Sequence, residues 1–185
     1  MESWPRRHRI TVDEYHRMAE VGLLAPDAQV ELIDGEIIDM APIGPSHSSV
    51  VRELTRLLVT TVGDNAIVQI QGVIRLDNAS EPQPDVAVLA QRDHRYRYAH
   101  PSSHDTLLLI EVSDSTLAYD RDVKLPLYAR HGIPEVWIFD LQNRELHVHR
   151  APQGGRYADE RVTKALGLTR MAMLPGLAVD LSDVL

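Results

Sequence analysis

The chain has 185 residues, 44% hydrophobic and 25% charged, enough to bury one core and too short to make two ordinary domains comfortable. Its formal net charge of −8 argues against a protein that coats nucleic acid through many lysine and arginine contacts, while leaving room for a local basic cleft. Cysteine is absent, which removes disulfides, thiolate zinc sites and a cysteine nucleophile together and agrees with a reducing compartment.

No apolar run approaches the roughly 20 residues of a membrane span. The start, MESWPRRHRI, has basic residues but no apolar stretch behind them, unlike a secretory signal. A cytoplasmic location without a membrane partner is therefore expected.

The first predicted helix covers about Thr11 to Glu20, opened by a capping box in which Thr11 caps the backbone and Glu14 reaches back. From Gln29 to Met40 two apolar-rich runs flank Asp34-Gly35, a strong hairpin signal. Ser46 precedes a segment with Val50, Val51, Leu54, Leu57 and Leu58 at helical spacing, which predicts an amphipathic helix to about Val62, before Gly63. The runs Ile67 to Leu76 and Asp85 to Ala90 are short and β-branched, as strands are. Gln91 to Asp105 is polar, basic and aromatic without a period and reads as a loop. Thr106 to Val112 is almost wholly apolar and predicts a central strand covered on both faces. Thr116 to about Arg130 is a helix ending at Gly132, with Pro126 set to kink or split it. Glu135 to Asp140 and Arg144 to Arg150 flank Gln142-Asn143 as a second hairpin, followed by a Gly154-Gly155 turn and a short strand. The pattern is a mixed, mostly antiparallel sheet with helices packed on it, an α/β (α+β) core in one domain over residues 1–185.

Glu111 follows Leu107-Leu108-Leu109-Ile110, so it is either desolvated and met by a partner or metal, or solvated just past the buried part of the strand. Asp85 opens its strand after Pro84. If the strands of Asp85 and Glu111 are antiparallel neighbours, the start of one lies beside the end of the other and the two carboxylates converge. Such a pair suits Mg2+, which takes one or two carboxylates with water and substrate phosphate around it. Beyond Glu111, Thr116, Asp120 and Lys124 are four residues apart and stack on one helix face. Asp120 and Lys124 make either an ordinary surface pair or, because the helix leaves the strand of Glu111, a means of returning a lysine to the carboxylates. There it could orient a water or stabilise charge developing on phosphate.

Taken together, Pro84-Asp85, Ile110-Glu111-Val112-Ser113, Ser115-Thr116, Asp120, Lys124, Tyr128, Gly132-Ile133, Glu135 and Trp137-Ile138-Phe139-Asp140 resemble the Uma-two family of restriction endonucleases. That family belongs to the PD-(D/E)XK nuclease superfamily. Glu31-Leu32-Ile33-Asp34-Gly35-Glu36 and His47 resemble its amino-terminal signature, so the likeness runs from about Thr11 to the carboxyl terminus. It implies a restriction-endonuclease-like fold with an N-terminal helix and hairpin over 11–40, a nuclease core over about 46–140 and C-terminal strands over 144–185. It implies Asp85 and Glu111 as metal ligands for Mg2+ or Mn2+, Lys124 as the catalytic lysine, and Glu31 or His47 as supporting groups. The chain departs from the superfamily pattern at Ser113, where a lysine is usual, and from the family at Val136, where tyrosine is common.

The reading is thus a metal-dependent endonuclease acting on DNA, with a homodimer as the simplest way to cut both strands. A nuclease fold kept as a binding or assembly module is the alternative, and a hydrolase of small phosphate esters a third. In the loop, Arg92, Arg95 and Arg97, interleaved with Tyr96 and Tyr98, are substrate-contact candidates. His94, His100 and His104 lack a zinc spacing and are assigned no metal. His147 and His149 alternate with Val148 and are expected on the exposed face of a strand. His47 stands at a helix start, where a structural hydrogen bond and a catalytic role both fit.

Overall fold

The computed structural model describes residues 7–185; the head of the basic start read against a secretory signal, residues 1–6, lies outside the described residues. Helix α1 (Val12–Glu20) opens with the expected capping box: Thr11 Oγ1 accepts from the Glu14 N–H at 3.2 Å and Glu14 Oε2 accepts from the Thr11 N–H at 2.8 Å. Strands β1 (Val30–Ile33) and β2 (Glu36–Asp39) form the expected hairpin. Its turn residues Asp34 and Gly35 have φ of 48° and 76°, the left-handed pair that a two-residue hairpin needs. A Cβ on residue 35 would lie 2.6 Å from the Cβ of Arg9, so glycine is required for space as well as for φ.

Helix α2 (Pro45–Val62) buries Val50, Val51, Leu54, Leu58 and Val62. It starts before Ser46: proline occupies the first turn, Gly44 is the cap, and no side chain caps it, so Ser46 and His47 lie within the helix. Strand β3 (Ile67–Ile70) is shorter than the run 67–76 suggested. Gln71 turns left-handed at φ 45°, and the chain beyond it pairs locally instead, Ile74 N–H to Pro82 O and Leu76 N–H to Ser80 O. The β-branched composition there reflects burial of Ile74 and Leu76, not a ladder.

A six-stranded sheet runs in the order β3, β4 (Val86–Leu89), β5 (Thr106–Ser113), β6 (Glu135–Asp140), β7 (Glu145–Gln153), β8 (Arg156–Thr163). Only β5 and β6 are parallel, as expected of two strands joined through helices. A separate hairpin, β9 (Leu168–Met171) with β10 (Leu174–Asp180), follows. The helical crossover consists of α3 (Leu117–Tyr119), a π-helical stretch (Asp120–Lys124) and α4 (Leu125–Arg130). The expected effect of Pro126 takes this form. The Leu125 N–H reaches back five residues to Asp120 O, and the wide turn accommodates a proline whose ring crowds a normal helix and which donates no bond.

Each face of the sheet carries a core. Val86, Val88, Leu108, Ile110, Val112, Trp137, Phe139, Leu146 and Val148 pack with α2 and the C-terminal hairpin. Ala87, Leu89, Leu109, Val136 and Ile138 pack with Leu125, Leu127 and Tyr128 of the crossover. On the second face His147 and His149 do share one side of β7, but that side is covered: His149 is buried and stands 5.9 Å ring to ring from Tyr157. Two-residue alternation gave the shared face correctly; it carries no information about which layer covers it.

The loop before β5 is anchored by Asp105, whose Oδ2 accepts from the Ser102 N–H at 2.9 Å and from Ser102 Oγ at 2.7 Å, while Oδ1 lies 3.1 Å from Arg92. Burial disfavours its charge, but these hydrogen bonds and Arg92 prevail and hold its pKa below the ordinary 3.8. A depressed carboxylate contributes stability above its unfolded pKa and loses it as pH falls through the folded value. Asp105→Asn should therefore cost about 1 kcal/mol at pH 7, the scale of a hydrogen bond's net contribution, with the gap to wild type narrowing below pH 4 (about the unfolded value), as read by urea melts across that range.

Candidate active site

The register of β4 on β5 sets Val86 against Ile110, so Asp85 falls opposite Glu111 on the face covered by the crossover. Asp85 Oδ2 accepts from the Val112 N–H at 2.8 Å, and Oδ1 lies 3.0 Å from His47 Nε2. The bond to Asp85 raises the His47 pKa, with Asp114 and Asp120 adding to it against the cost of burial. His47 is thus held in the site from the first turn of α2, and its Nδ1 is buried without a hydrogen-bond partner.

Glu111 is 3% exposed, which excludes the solvated strand end. Its Oε1 accepts from Tyr128 OH at 2.5 Å and stands 3.1 Å from Lys124 Nζ. Burial pushes its pKa up to about 8, against the pull of Lys124, and the charges of Asp120 and Asp85 push the same way. Lys124 also lies 3.3 Å from Glu31 Oε2, an oxygen that accepts from the Gln83 N–H at 3.0 Å. Burial alone would lower the lysine pKa, but Glu111 and Glu31 outweigh it, so the pKa is raised and the ammonium stays charged.

The surface pair of Asp120 with Lys124 does not form. Both are buried, Lys124 turns to the two glutamates, and Asp120 Oδ2 accepts from Ser113 Oγ and Thr116 Oγ1, each at 2.7 Å. The expected contact of Thr116 with Asp120 across one turn is present, and Ser113 anchors Asp120 as well.

Asp85, Glu111, Lys124, Glu31 and His47 line one cavity of about 420 Å³, which the segment from Met40 to Gly44 also lines. Arg92, Arg95 and Arg97 do not join them: they follow β4 at its other end, where Arg92 pairs with Asp105 and lies 5.3 Å from the Tyr96 ring. Reading the sequence missed Gln83 and Tyr119. The Tyr119 hydroxyl lines the cavity, buried and without a hydrogen-bond partner, and its pKa is raised by burial and by Glu31. The only sequence signal for it is adjacency to Asp120, because a period of 3.6 does not align residue 119 with residue 124.

The donor set fits a divalent cation. Asp85 and Glu111 offer hard oxygens from adjacent strands, and six carboxylates, those of Asp85, Glu111, Glu31, Asp120, Asp39 and Asp114, line the cavity with one lysine and one histidine. Negative charge in that excess is stabilised by a cation.

The sequence profile of the Uma2 family, described as putative restriction endonuclease, matches residues 12–182. The chain belongs to that family. Among solved structures, it is similar to that of a putative nuclease belonging to DUF820 from Anabaena variabilis ATCC 29413, with a TM-score of 0.72 and 19% identity over 95% of this chain and 97% of the other. No curated protein matches. The Uma2 assignment and the Anabaena structure agree on a nuclease fold, the architecture implied by the motif set.

Removing one member of a buried ion cluster strands the others. Lys124→Ala should lower the stability of the metal-free protein by about 3–5 kcal/mol. The double variant Lys124→Met with Glu111→Gln should recover part of that loss, as measured by urea denaturation in the presence of a chelator.

Proposed function

We propose that the chain is a divalent-metal-dependent endonuclease that hydrolyses DNA phosphodiester bonds. The observation that carries this reading is the convergence of Asp85 and Glu111 on adjacent strand ends beside a buried, charged Lys124. Membership of a putative restriction endonuclease family supports it.

An Mg2+ or Mn2+ ion held by Asp85 and Glu111 would supply Lewis acidity toward the phosphate and lower the pKa of an attacking water. The chain's own groups account for orientation and charge. His47 and the Val112 N–H hold both oxygens of Asp85, and Tyr128 fixes Glu111. Lys124 keeps its proton, so its part is to donate: it orients the water or bonds the phosphate oxygen on which negative charge develops. Glu31 and Glu111 hold that ammonium at the cavity wall. With one site per chain, cutting both strands takes either two chains or two successive nicks.

One observation favours a catalytically silent binding or assembly module as the second reading: Lys124 is engaged by two carboxylates and Asp85 by two donors. Incubation of supercoiled plasmid with purified protein and Mg2+ or Mn2+ separates the two. The nuclease reading expects nicked or linear product from wild type and at least a hundredfold loss in Asp85→Ala and Lys124→Ala, the scale of losing a transition-state charge contact. Cleavage that persists in both variants, or no cleavage with either metal while Mg2+ still raises the melting temperature, would overturn it.

A further inference from the structure

We infer that the hydroxyl of Tyr119 is a second catalytic donor, one that bonds a non-bridging oxygen of the phosphate being cut. The inference rests on the nuclease reading and adds a substrate contact to it. Lys124 is engaged by Glu31 and Glu111, which leaves at most one proton of its ammonium for substrate. Tyr119 supplies a donor that no protein group holds.

The polar groups around it in the cavity are paired. Asp85 Oδ2 accepts from the Val112 N–H, Glu31 Oε2 from the Gln83 N–H, and Thr116 Oγ1 donates to Asp120. Two buried side-chain atoms of the cavity lining have no hydrogen-bond partner, His47 Nδ1 and the Tyr119 hydroxyl. His47 is placed by Asp85 through its other nitrogen, whereas nothing in the protein satisfies the phenol. A buried hydroxyl in that state is costly, and at a cavity wall an acceptor on a bound molecule completes it. Burial and the charge of Glu31 both keep the phenol protonated, so it serves as a donor.

The backbone brings this hydroxyl to the cavity that Lys124 lines. Five residues separate the two, and in an ordinary helix that spacing points side chains about 140° apart. The π-helical stretch Asp120–Lys124 takes more residues to complete its turn, which narrows the angle, and both side chains line the cavity. In the hydrolysis a water oxygen bonds to phosphorus as one ester P–O bond breaks; one water proton ends on the leaving oxygen and the other on the new phosphate monoester. Charge is spread over the equatorial oxygens in the transition state, and a fixed donor in a site withdrawn from water stabilises it there. Tyr119 keeps its own proton throughout.

The test compares the full-length wild type with Tyr119→Phe, which removes the oxygen and keeps the ring. On supercoiled plasmid with Mg2+, kcat and kcat/KM should fall together by about 10–100-fold, the loss that goes with one hydrogen bond to a charged group. Without metal or DNA, the melting temperature of the variant should be at or above that of wild type, because no unsatisfied hydroxyl is left to bury. Mg2+ affinity by titration calorimetry should not change. An unchanged kcat, a melting temperature below wild type or weakened Mg2+ binding would overturn the inference, the last two because they mark a hydroxyl that braces the fold or the carboxylates. Wild type that cleaves beside an unimpaired variant removes the role of Tyr119 alone; wild type that cuts nothing removes the nuclease reading and this contact with it.

Discussion

The ammonium of Lys124 lies 3.1 Å from Glu111 and 3.3 Å from Glu31, with all three side chains withdrawn from water. Each comes from a different part of the chain: Glu31 from the first hairpin, Glu111 from the central strand, Lys124 from the crossover. Three segments far apart in sequence are thereby held together by a contact whose members are each costly to bury alone. The elements around it serve this junction. The tight Asp34-Gly35 turn aligns β1, the Gln83 N–H steadies Glu31, and Tyr128 on α4 steadies Glu111.

Two fully buried glutamates in the same sheet show what distinguishes structure from site. Glu135 accepts from Trp137 Nε1, from Arg150 Nε and from the Ala172 N–H, each at 2.7 Å. It is satisfied by the protein and ties the C-terminal hairpin to the sheet, so nothing in its surroundings asks for a ligand. Glu111 has one hydroxyl and a lysine that it shares, faces a cavity, and has its pKa pushed up by burial. Burial alone is common to both; unfinished pairing marks the second.

Much of this was legible from residues. Thr11 with Glu14, and Asp34 with Gly35, announced their cap and turn because local chemistry decides such features. Asp85 and Glu111 converged because antiparallel neighbours fix which strand ends meet. The strand after Ile70 failed because a left-handed Gln71 redirects the chain and the buried Ile74 mimics a strand residue. His147 and His149 were read as exposed because a strand's two faces look alike until the layer above is known. Arg92, Arg95 and Arg97 suited phosphate by composition, but a loop's composition does not say at which end of the sheet it emerges. The approach of Lys124 to the carboxylates was expected from resemblance and from the direction of its helix, while the means of delivering it, a π-helical stretch ahead of Pro126, left no periodic trace.

That stretch makes the position of Lys124 a matter of angular phase. Each helical residue turns the chain by about 100°, and the wide turn holds one residue more than an ordinary one. Loss of a single residue between Asp120 and Lys124 would rotate everything before it relative to Tyr128 and α4, parting the partners of Asp120 from the lysine without altering any of those side chains. Chain length at this point is therefore as tightly constrained as chemical identity, whereas the loop before β5 has no phase to keep.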